Sequence, residues 1–304
     1  MNIEKIEFAG WTDCYSLSSN ELHVVALAEV GPRIIQFGPN AERNCFYVDP
    51  ATAGQHGGDT WNVYGGHRLW HAPEALPRSY QPDNQPVEVA IDQEAGTLTM
   101  SQAIEEHTGI LKQIELRLSE DEPGVTVTHR LTNNSLWPIT LAPWALSVMA
   151  PGGAGIMPLV PRGTHEENLQ PTSSLVLWAY VDMADPRYTW GREFIMLRQD
   201  SRADSPQKIG LTASGGWVAY ALENLLFVKT FEELPGAPYP DQGCTVELFT
   251  NPAMLEVETL APLTTLEPGE AATHVEHWHL WSGIPAIHNE SDVREHILPL
   301  IRSI

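Results

Sequence analysis

Lysine and cysteine are scarce in this chain of 304 residues, and positive charge as a whole is in short supply. Acidic residues outnumber basic ones 39 to 17, which gives a net charge of −22. A field of that sign repels phosphate groups, so the composition argues against nucleic acid and membrane surfaces as partners. There are only four lysines, so any lysine inside an apolar segment needs an explanation.

Three features of the sequence indicate the cellular compartment of the protein. Cys14, Cys45 and Cys244 are odd in number and scattered, which argues against a disulfide framework and fits a reducing cytosol. The segment Met1–Phe8 is interrupted by charges and has no apolar core of a signal peptide. No apolar run approaches the length of a membrane span. We therefore expect a cytoplasmic protein.

Short strands separated by turn residues are the dominant pattern. Proline and glycine together make up 47 residues (24 and 23), which suits many tight turns in a chain of ordinary apolar content. The pattern predicts strands at Leu22–Val30, Arg33–Phe37, Val87–Ile91, Thr97–Ala103, Leu111–Leu118, Val125–Leu131, Ile139–Met149, Ser174–Asp182, Phe194–Arg198, Trp217–Glu223, Leu225–Phe231, Thr245–Thr250 and Thr273–Trp281.

No linker or fixed-period repeat divides the chain, so we predict one all-β domain over residues 1–304. A short helical tail is expected at about residues 285–304. Ser291 is placed to cap it, and Pro299 must end it or lie past a break.

Two carboxylates in the segment that begins at Met254 share one face of a predicted strand. Glu256 and Glu258 point to one side, and Leu255, Val257 and Thr259 point to the other. The two carboxylates would lie about 6–7 Å apart, and each raises the cost of ionising the other. From spacing alone, the alternative is a solvated polar strand face.

The order of these residues carries a resemblance. Glu258-Thr259, followed by Leu266-Glu-Pro-Gly-Glu270, resembles the C-terminal signature of the aldose 1-epimerase (galactose mutarotase) superfamily. The resemblance implies a large antiparallel two-sheet supersandwich with the site in a cleft on one sheet face, and it implies that Glu258 is the catalytic base. The chain is most similar to a branch of this superfamily that shares four motifs. They are Gly65-Gly-His-Arg-x-Trp70, Lys208-Ile-Gly210, Tyr239-Pro-Asp-x-Gly243 and Glu256-x-Glu-Thr259.

The segment Tyr64–Glu74 is the second candidate part of the site. If it is extended, His67 and His71 share one face, and Arg68 and Trp70 share the other. Imidazole can donate a proton near neutral pH, guanidinium can bind hydroxyl groups, and indole can stack on a sugar ring. The alternative is a loop whose histidines bond to the backbone, with the indole in the core. The superfamily also has a segment rich in His and Gly after its first strands.

A departure from the superfamily pattern lies at Pro143-Trp144. Mutarotases have at the matching place a histidine that protonates the sugar ring oxygen, but an indole cannot give up a proton at physiological pH. We expect either that His67, with His71 as the second choice, supplies the proton from across the cleft, or that the protein binds a sugar without opening its ring.

Lys229 and two weaker candidates complete the expected site. Lys229 lies in an apolar strand, so it should either pair with Glu258, Glu256 or Asp241, or reach the strand edge. Asp241, in a turn, is a candidate contact for a sugar hydroxyl. Lys208–Gly210 and Arg33 are weaker candidates for carboxylate or phosphate contacts.

The sequence predicts neither a metal nor an organic cofactor. His277 and His279 have the spacing that places two imidazoles on one strand face, but no third ligand is evident by spacing. His274 and Glu276 fall on the other face. The chain has no Gly-rich phosphate loop or dinucleotide fingerprint.

Three functions remain in order of preference. The first is aldose 1-epimerase-like acid–base anomerisation of a sugar, and the second is non-catalytic binding of a sugar or oligosaccharide. The third is bond cleavage by Glu256 and Glu258, although neighbours on one strand face are poorly placed to flank a glycosidic bond. The oligomeric state is not predicted.

Overall fold

The computed structural model describes residues 2–19, 21–119, 124–213 and 215–304. Two stacked β-sheets make up most of this part of the chain, and every strand pair described in them is antiparallel. The all-β, two-sheet prediction is therefore confirmed.

The first sheet carries the candidate cleft on its outer face. In spatial order its strands are β1 (Asn2–Phe8), β2 (Trp11–Ser18), β3 (His23–Leu27), β4 (Arg33–Gly38), β5 (Gly66–Ala72), β10 (Ile139–Met149), β19 (Leu255–Leu260), β18 (Val246–Thr250), β15 (Gln207–Leu211) and β12 (Leu175–Leu177), with β20 (Thr264–Leu266) also paired to β10.

The second sheet packs against the inner face of the first. In spatial order its strands are β13 (Tyr188–Trp190), β14 (Phe194–Arg198), β11 (Ala154–Pro158), β16 (Trp217–Leu222), β17 (Leu225–Phe231), β21 (Ala271–Ser282), β9 (Gly124–Asn133), β8 (Ile110–Leu118), β7 (Thr97–Ser101) and β6 (Glu88–Asp92).

Aromatic side chains fill the centre of the space between the sheets. Phe37 of the first sheet meets Phe227 and Trp278 of the second, with ring centroids 5.4 Å apart in each pair and the rings edge to face. Phe46, in the loop after β4, closes the group. All four are buried, so truncating one of the phenylalanines to alanine should cost about 3–5 kcal/mol.

Three apolar strands agree with the sequence prediction in both of their bounds. Ile139–Met149, Phe194–Arg198 and Leu225–Phe231 have the predicted bounds. The prediction of a strand over Ser174–Asp182 is wrong for most of its length, since only Leu175–Leu177 pairs. Five strands were not predicted: β1, β2, β11, β13 and β15. Most of these are short or lie at sheet edges, where the sequence pattern is weakest.

The C-terminal helical tail is present but begins with a different cap. Its pieces are Glu290–Asp292, Val293–Ile297 and Leu298–Ile301. Asn289, rather than Ser291, accepts the first free N–H groups, and Asp292 bonds back to the cap. Pro299 falls in the first turn of the last piece, where proline is tolerated.

The remaining helical elements are short. Arg78–Tyr80 forms a single 3₁₀ turn and Pro240–Gly243 a tight turn in which Asp241 and Gln242 have left-handed backbone angles (φ 48° and 61°). Among the described residues, no helix is both long and apolar enough to cross a membrane.

Candidate functional site

A cleft of about 480 Å³ opens on the outer face of the first sheet, above its central strands. The β10–β19 and β19–β18 registers align Leu146, Glu258 and Glu247, and Arg68 of β5 lies opposite Leu146. The cleft is lined by Trp61, Val63, Arg68, Trp70, Glu74, Tyr80, Trp144, Leu146, Trp178, Tyr180, Pro206, Lys208, Phe249, Asn251, Met254 and Glu256.

A larger cavity of about 790 Å³ lies to one side, among loops that include Asp83, Asn84 and Glu106. Tyr80 is its one aromatic lining residue. The smaller cleft concentrates aromatic rings and charged groups, which is the composition expected of a ligand site.

Two glycines determine how β5 enters the cleft. Gly65 and Gly66 have φ of +100° and +67°, and a Cβ atom on them would lie 2.0 Å from the Tyr47 carbonyl oxygen and 2.3 Å from that of Ile34. Only glycine fits this close approach of backbone to backbone. The sharp turn starts the strand that carries Arg68 and Trp70 on the cleft side.

The first charged group of the cleft is an arginine held between two indoles. The Arg68 guanidinium lies 4.9 Å from the centre of the Trp70 ring and 5.5 Å from that of Trp61. Its Nη2 lies 2.8 Å from Glu256 Oε1. Arg68 Nε, Arg68 Nη1 and Trp61 Nε1 are buried and have no hydrogen-bond partner among the described residues. Buried donors of this kind require an acceptor.

The second charged group has the same construction around a lysine. Lys208 Nζ lies 2.7 Å from Glu247 Oε2 and 3.2 Å from Glu258 Oε2. It also lies 4.8 Å from the centre of the Trp144 ring and 4.7 Å from that of Trp178. Each cation thus has two indole faces and at least one carboxylate, an arrangement that stabilises a desolvated positive charge.

Gly210 makes room for the lysine group. It lies opposite Glu247 in the β15–β18 register and two residues after Lys208. A Cβ atom there would be 2.5 Å from Cys244 Sγ and 3.3 Å from the Trp178 ring. The small residue therefore lets the indole settle beside the ammonium.

The electrostatics of the lysine group favour one retained proton on its carboxylates. Burial lowers the pKa of Lys208, but Glu247 and Glu258 outweigh it and hold that pKa well above its usual value. Burial raises the pKa of Glu247 strongly and that of Glu258 less, although Lys208 opposes both shifts. Two carboxylates opposite each other on adjacent strands cannot both ionise without cost, since only one ammonium serves them.

Glu258 lies beneath the cleft wall rather than on its surface. Its side chain is 0% exposed, and the Trp144 indole Nε1 donates to its Oε2 at 2.9 Å. Trp144 itself lines the cleft. The Trp144 indole therefore covers the Glu258 carboxylate from the cleft side.

The expected position of the proton donor is corrected by the structure. His67 and His71 do lie on the face opposite Arg68 and Trp70, but this is the inner face of the sheet, and both are fully buried. His67 contacts Ser147 and His129. His71 contacts Arg78 and lies 3.5 Å from Glu105. Neither lines the cleft that Arg68 and Glu256 line.

The partner expected for Lys229 is also corrected. Its ammonium lies 3.0 Å from Glu276 Oε1, between the sheets, and donates to the carbonyl oxygens of Val257 and Ala145. Trp278 Nε1 and the Thr259 hydroxyl donate to the same carboxylate. Glu256 pairs instead with Arg68.

A buried row of histidines adjoins the Lys229–Glu276 pair. The Nδ1–H of His129 donates to the His274 carbonyl oxygen at 3.0 Å. Its Nε2 therefore accepts from His67 Nε2–H at 2.6 Å, and His67 Nδ1 accepts from the Ser147 hydroxyl at 2.8 Å. Burial lowers the pKa of both imidazoles, which fits these neutral tautomers.

The imidazole nitrogens of His67 and His129 and a carboxylate oxygen of Glu276 lie within 4.8 Å of one another, close enough for the three side chains to be tested as ligands of one metal ion. Two imidazole nitrogens on a tetrahedral zinc would lie roughly 3.3 Å apart, whereas these are in direct contact. The Lys229 ammonium also already compensates Glu276. On the outer side of β21, His277 bonds to Thr126 and His279 stacks on Trp281.

Of the remaining candidates, Arg33 and Asp241 lie outside the cleft lining. Arg33 is buried, pairs with Asp83 at 2.5 Å and donates to the carbonyl oxygens of Val63 and Gly65, so it braces the loop before β5. Asp241 lies in the tight turn Pro240–Gly243, next to Cys244.

Several cleft residues were not identified from the sequence: Trp61, Glu74, Tyr80, Trp178, Tyr180 and Glu247. For Lys208 the sequence indicates only a weak candidate. Its spacing from Gly210 was the available signal, because a small residue two positions from a charge on a strand leaves space on the same face. Trp61 lies in a loop and Tyr80 in the single 3₁₀ turn Arg78–Tyr80, where residue spacing predicts no side-chain direction.

Three solved structures resemble the chain in fold. A galactose mutarotase-like protein from Lactobacillus casei has 9% identity and a TM-score of 0.55, over 88% of this chain and 100% of that one. A candidate aldose 1-epimerase from Escherichia coli K12 has 12% identity and a TM-score of 0.54, over 88% and 99%. A TPR-domain containing protein from Parabacteroides distasonis has 14% identity and a TM-score of 0.61, over 90% of this chain but 48% of that one.

This chain has the galactose mutarotase-like fold. No family model matches it, and no curated protein matches it in sequence. At these identities the likeness concerns the arrangement of the strands. The function of the cleft in this chain has to be argued from its own residues.

Proposed function

We propose that the protein binds a carbohydrate in the cleft without interconverting its anomers. One observation supports the proposal most strongly. The cleft contains four indole rings, and it also contains buried N–H donors, on Arg68 and Trp61, that have no hydrogen-bond partner among the described residues. Sugar rings offer C–H faces to aromatic side chains and hydroxyl oxygens to such donors.

The state of Glu258 supports binding over turnover. A general base needs access to the proton that it removes, whereas this carboxylate is buried and already accepts from Trp144 and Lys208. Among the cleft-lining residues there is also no suitable proton donor across the cleft from Glu258. The lining has no histidine, and the pKa values of Lys208, Tyr80 and Tyr180 are all raised.

Aldose 1-epimerase-like chemistry is the second candidate, because the sequence resemblance implies Glu258 as the base and Glu258 lies 3.2 Å from an ammonium group. Glu258 would take the proton of the anomeric hydroxyl while Lys208 protonates the ring oxygen. The ring would open, rotate about the first carbon–carbon bond and close to the other anomer. Trp144 would have to move to uncover the carboxylate.

Two measurements on the full chain separate these candidates. A thermal-shift screen of neutral mono- and oligosaccharides, followed by calorimetry, should find a sugar that raises the Tm. Polarimetry with the pure α-anomer of that sugar should then show interconversion at the uncatalysed rate. Catalysed interconversion that disappears in Glu258→Gln would favour the epimerase, and a screen without any stabilising sugar would contradict both candidates.

A matched pair of arginine variants tests the donors directly. Arg68→Lys keeps the charge beside Glu256 but removes the unpartnered Nε–H and Nη1–H groups, so sugar affinity should fall about tenfold or more. Arg202→Lys, at an exposed pair with Asp200, should leave the affinity unchanged. Equal affinities in both variants would mean that the sugar does not meet Arg68.

A further inference from the structure

We infer that the carbohydrate taken by this cleft is uncharged, and that sugar acids and phosphorylated sugars are rejected. This inference rests on the proposed function and specifies its ligand class. It follows from how the charges of the cleft are already paired and from which hydrogen-bonding groups are left over.

The positive charges of the cleft are already compensated. Arg68 and Lys208 are the cationic lining residues, and the lining also contains Glu74 and Glu256, so the lining sums to zero. Arg68 is paired with Glu256, and Lys208 has two carboxylates behind it, Glu247 and Glu258. The whole arrangement is therefore net negative even when those two share a proton, within a chain of charge −22.

Glu74 adds a negative charge at the mouth. Its side chain is exposed and accepts a hydrogen bond from the Tyr80 hydroxyl. No lysine, arginine or histidine lies within 4.0 Å of it in the described part of the chain. Its field reaches the interior of the cleft, where it helps to raise the pKa values of Lys208 and Tyr180. An anion entering here therefore first meets a carboxylate that has no ion-pair partner within 4.0 Å among the described residues.

Among the cleft-lining residues, the buried side-chain atoms that lack a hydrogen-bond partner within the described part of the chain are all donors. The carboxylates beneath the lining, Glu247 and Glu258, also have acceptor oxygens without a hydrogen-bond partner there. Arg68 Nε, Arg68 Nη1 and Trp61 Nε1 all require acceptor atoms from the ligand. Hydroxyl and ring oxygens meet that requirement without bringing a charge close to Glu256. A carboxylate or phosphate would also accept from Arg68, but it would share the guanidinium with Glu256 at close range.

The size of this discrimination can be estimated from Coulomb's law. Two like charges about 6 Å apart near a protein surface repel by an amount that corresponds to roughly a hundredfold in affinity. The guanidinium between them offsets part of this repulsion. We therefore expect neutral sugars to bind about tenfold or more tightly than their acid counterparts.

Calorimetry on the full chain with three matched pairs tests the inference: D-glucose and D-glucuronate, D-galactose and D-galacturonate, D-mannose and D-mannuronate. Each pair differs only at C6. In every pair that binds, the neutral member should bind about tenfold or more tightly at low salt. An acid that binds as tightly as its neutral partner overturns the inference and leaves the proposed function standing. Absence of binding in all pairs and across the oligosaccharide screen contradicts both.

Two carboxylate variants and a control identify the source of the discrimination. Glu256→Gln should lower the neutral-to-acid ratio several-fold, and Glu74→Gln, at an exposed position that does not endanger folding, should lower it less. Glu193→Gln removes the same charge in the bend before β14, where Glu193 pairs with Arg294 outside the cleft lining, and should leave the ratio unchanged. An unchanged ratio in Glu256→Gln and Glu74→Gln would overturn the inference.

Discussion

Lys208 and Lys229 are both buried ammonium groups, and they lie on opposite sides of the same strand. Lys208 contacts Glu258 on the cleft side of β19, and Lys229 contacts the carbonyl oxygen of Val257 on the inner side. Burial lowers the pKa of each. The net pKa of Lys208 is nevertheless well above its usual value, whereas that of Lys229 is below it.

The number of carboxylates accounts for the difference. Lys208 lies within 3.2 Å of two, and together they outweigh desolvation. Lys229 has one, Glu276, and completes its contacts with two uncharged carbonyl oxygens. The group of Lys208 with Glu247 and Glu258 holds excess negative charge beside the cleft. Lys229 and Glu276 form a pair without net charge between the two sheets. The first is suited to a ligand site and the second to joining the sheets.

The largest change in the free energy of unfolding is expected when the Lys229–Glu276 pair is broken. Lys229→Met leaves the Glu276 carboxylate buried without its cation and should lower the free energy of unfolding by about 3–5 kcal/mol. Urea unfolding of the variant measures this loss. The double variant Lys229→Met/Glu276→Gln removes both charges and should recover a substantial part of it. A single variant as stable as wild type would show that the pair does not join the sheets.

The contributions of Glu276 and Glu247 to the free energy of unfolding should depend on pH with opposite signs. The folded pKa of Glu276 is about 2, so its contribution is present above the unfolded value near 4.5 and is lost as pH falls toward 2. The folded pKa of Glu247 is raised, so its contribution is present below about 4.5 and is lost as pH rises.

These signs are tested with Glu276→Gln and Glu247→Gln unfolded in urea between pH 3 and 8. Between pH 5 and pH 3 wild type should lose about 2 kcal/mol more stability than Glu276→Gln. Glu247→Gln should gain stability relative to wild type as pH rises from 5 to 8. A relative loss over that range would contradict the raised pKa of Glu247.

Lys208→Met should affect the ligand more than the fold. Glu247 and Glu258 can keep a proton between them when the cation is removed, so the free energy of unfolding should fall by only about 1–3 kcal/mol. The cleft loses its second cation, and sugar affinity measured by calorimetry should fall about tenfold or more. A loss of stability as large as that of Lys229→Met would mean that the two lysines are equivalent.

The smallest effect is expected at the surface. Lys5 lies 2.8 Å from Asp13, and both side chains are well exposed. Lys5→Met should leave the free energy of unfolding unchanged within the error of the titration, since solvent and salt screen such a pair. It serves as the control for removing one lysine, and a larger change in the same urea titration would show that loss of any positive charge destabilises this acidic chain.

Strand alternation predicted which side chains share a face, and the structure confirms these sets. Glu256 and Glu258 lie together on the cleft side of β19, and His67 and His71 lie together opposite Arg68 and Trp70 on β5. The prediction of a two-sheet fold is likewise confirmed. The roles of the remaining candidates depended on contacts between distant segments.

What the sequence by itself determined is therefore the strand pattern, the acidic charge and the grouping of side chains by face. It could not determine which face of β5 meets the cleft, because all seven residues of this strand, Gly66–Ala72, are buried and neither face has a solvent-exposed signature. Only the packing of the second sheet decided that His67 belongs to the interior and Arg68 to the cleft. The same packing assigned Lys229 to Glu276 and left Lys208 to Glu247 and Glu258, since partners from distant strands are chosen by the register and stacking of the sheets.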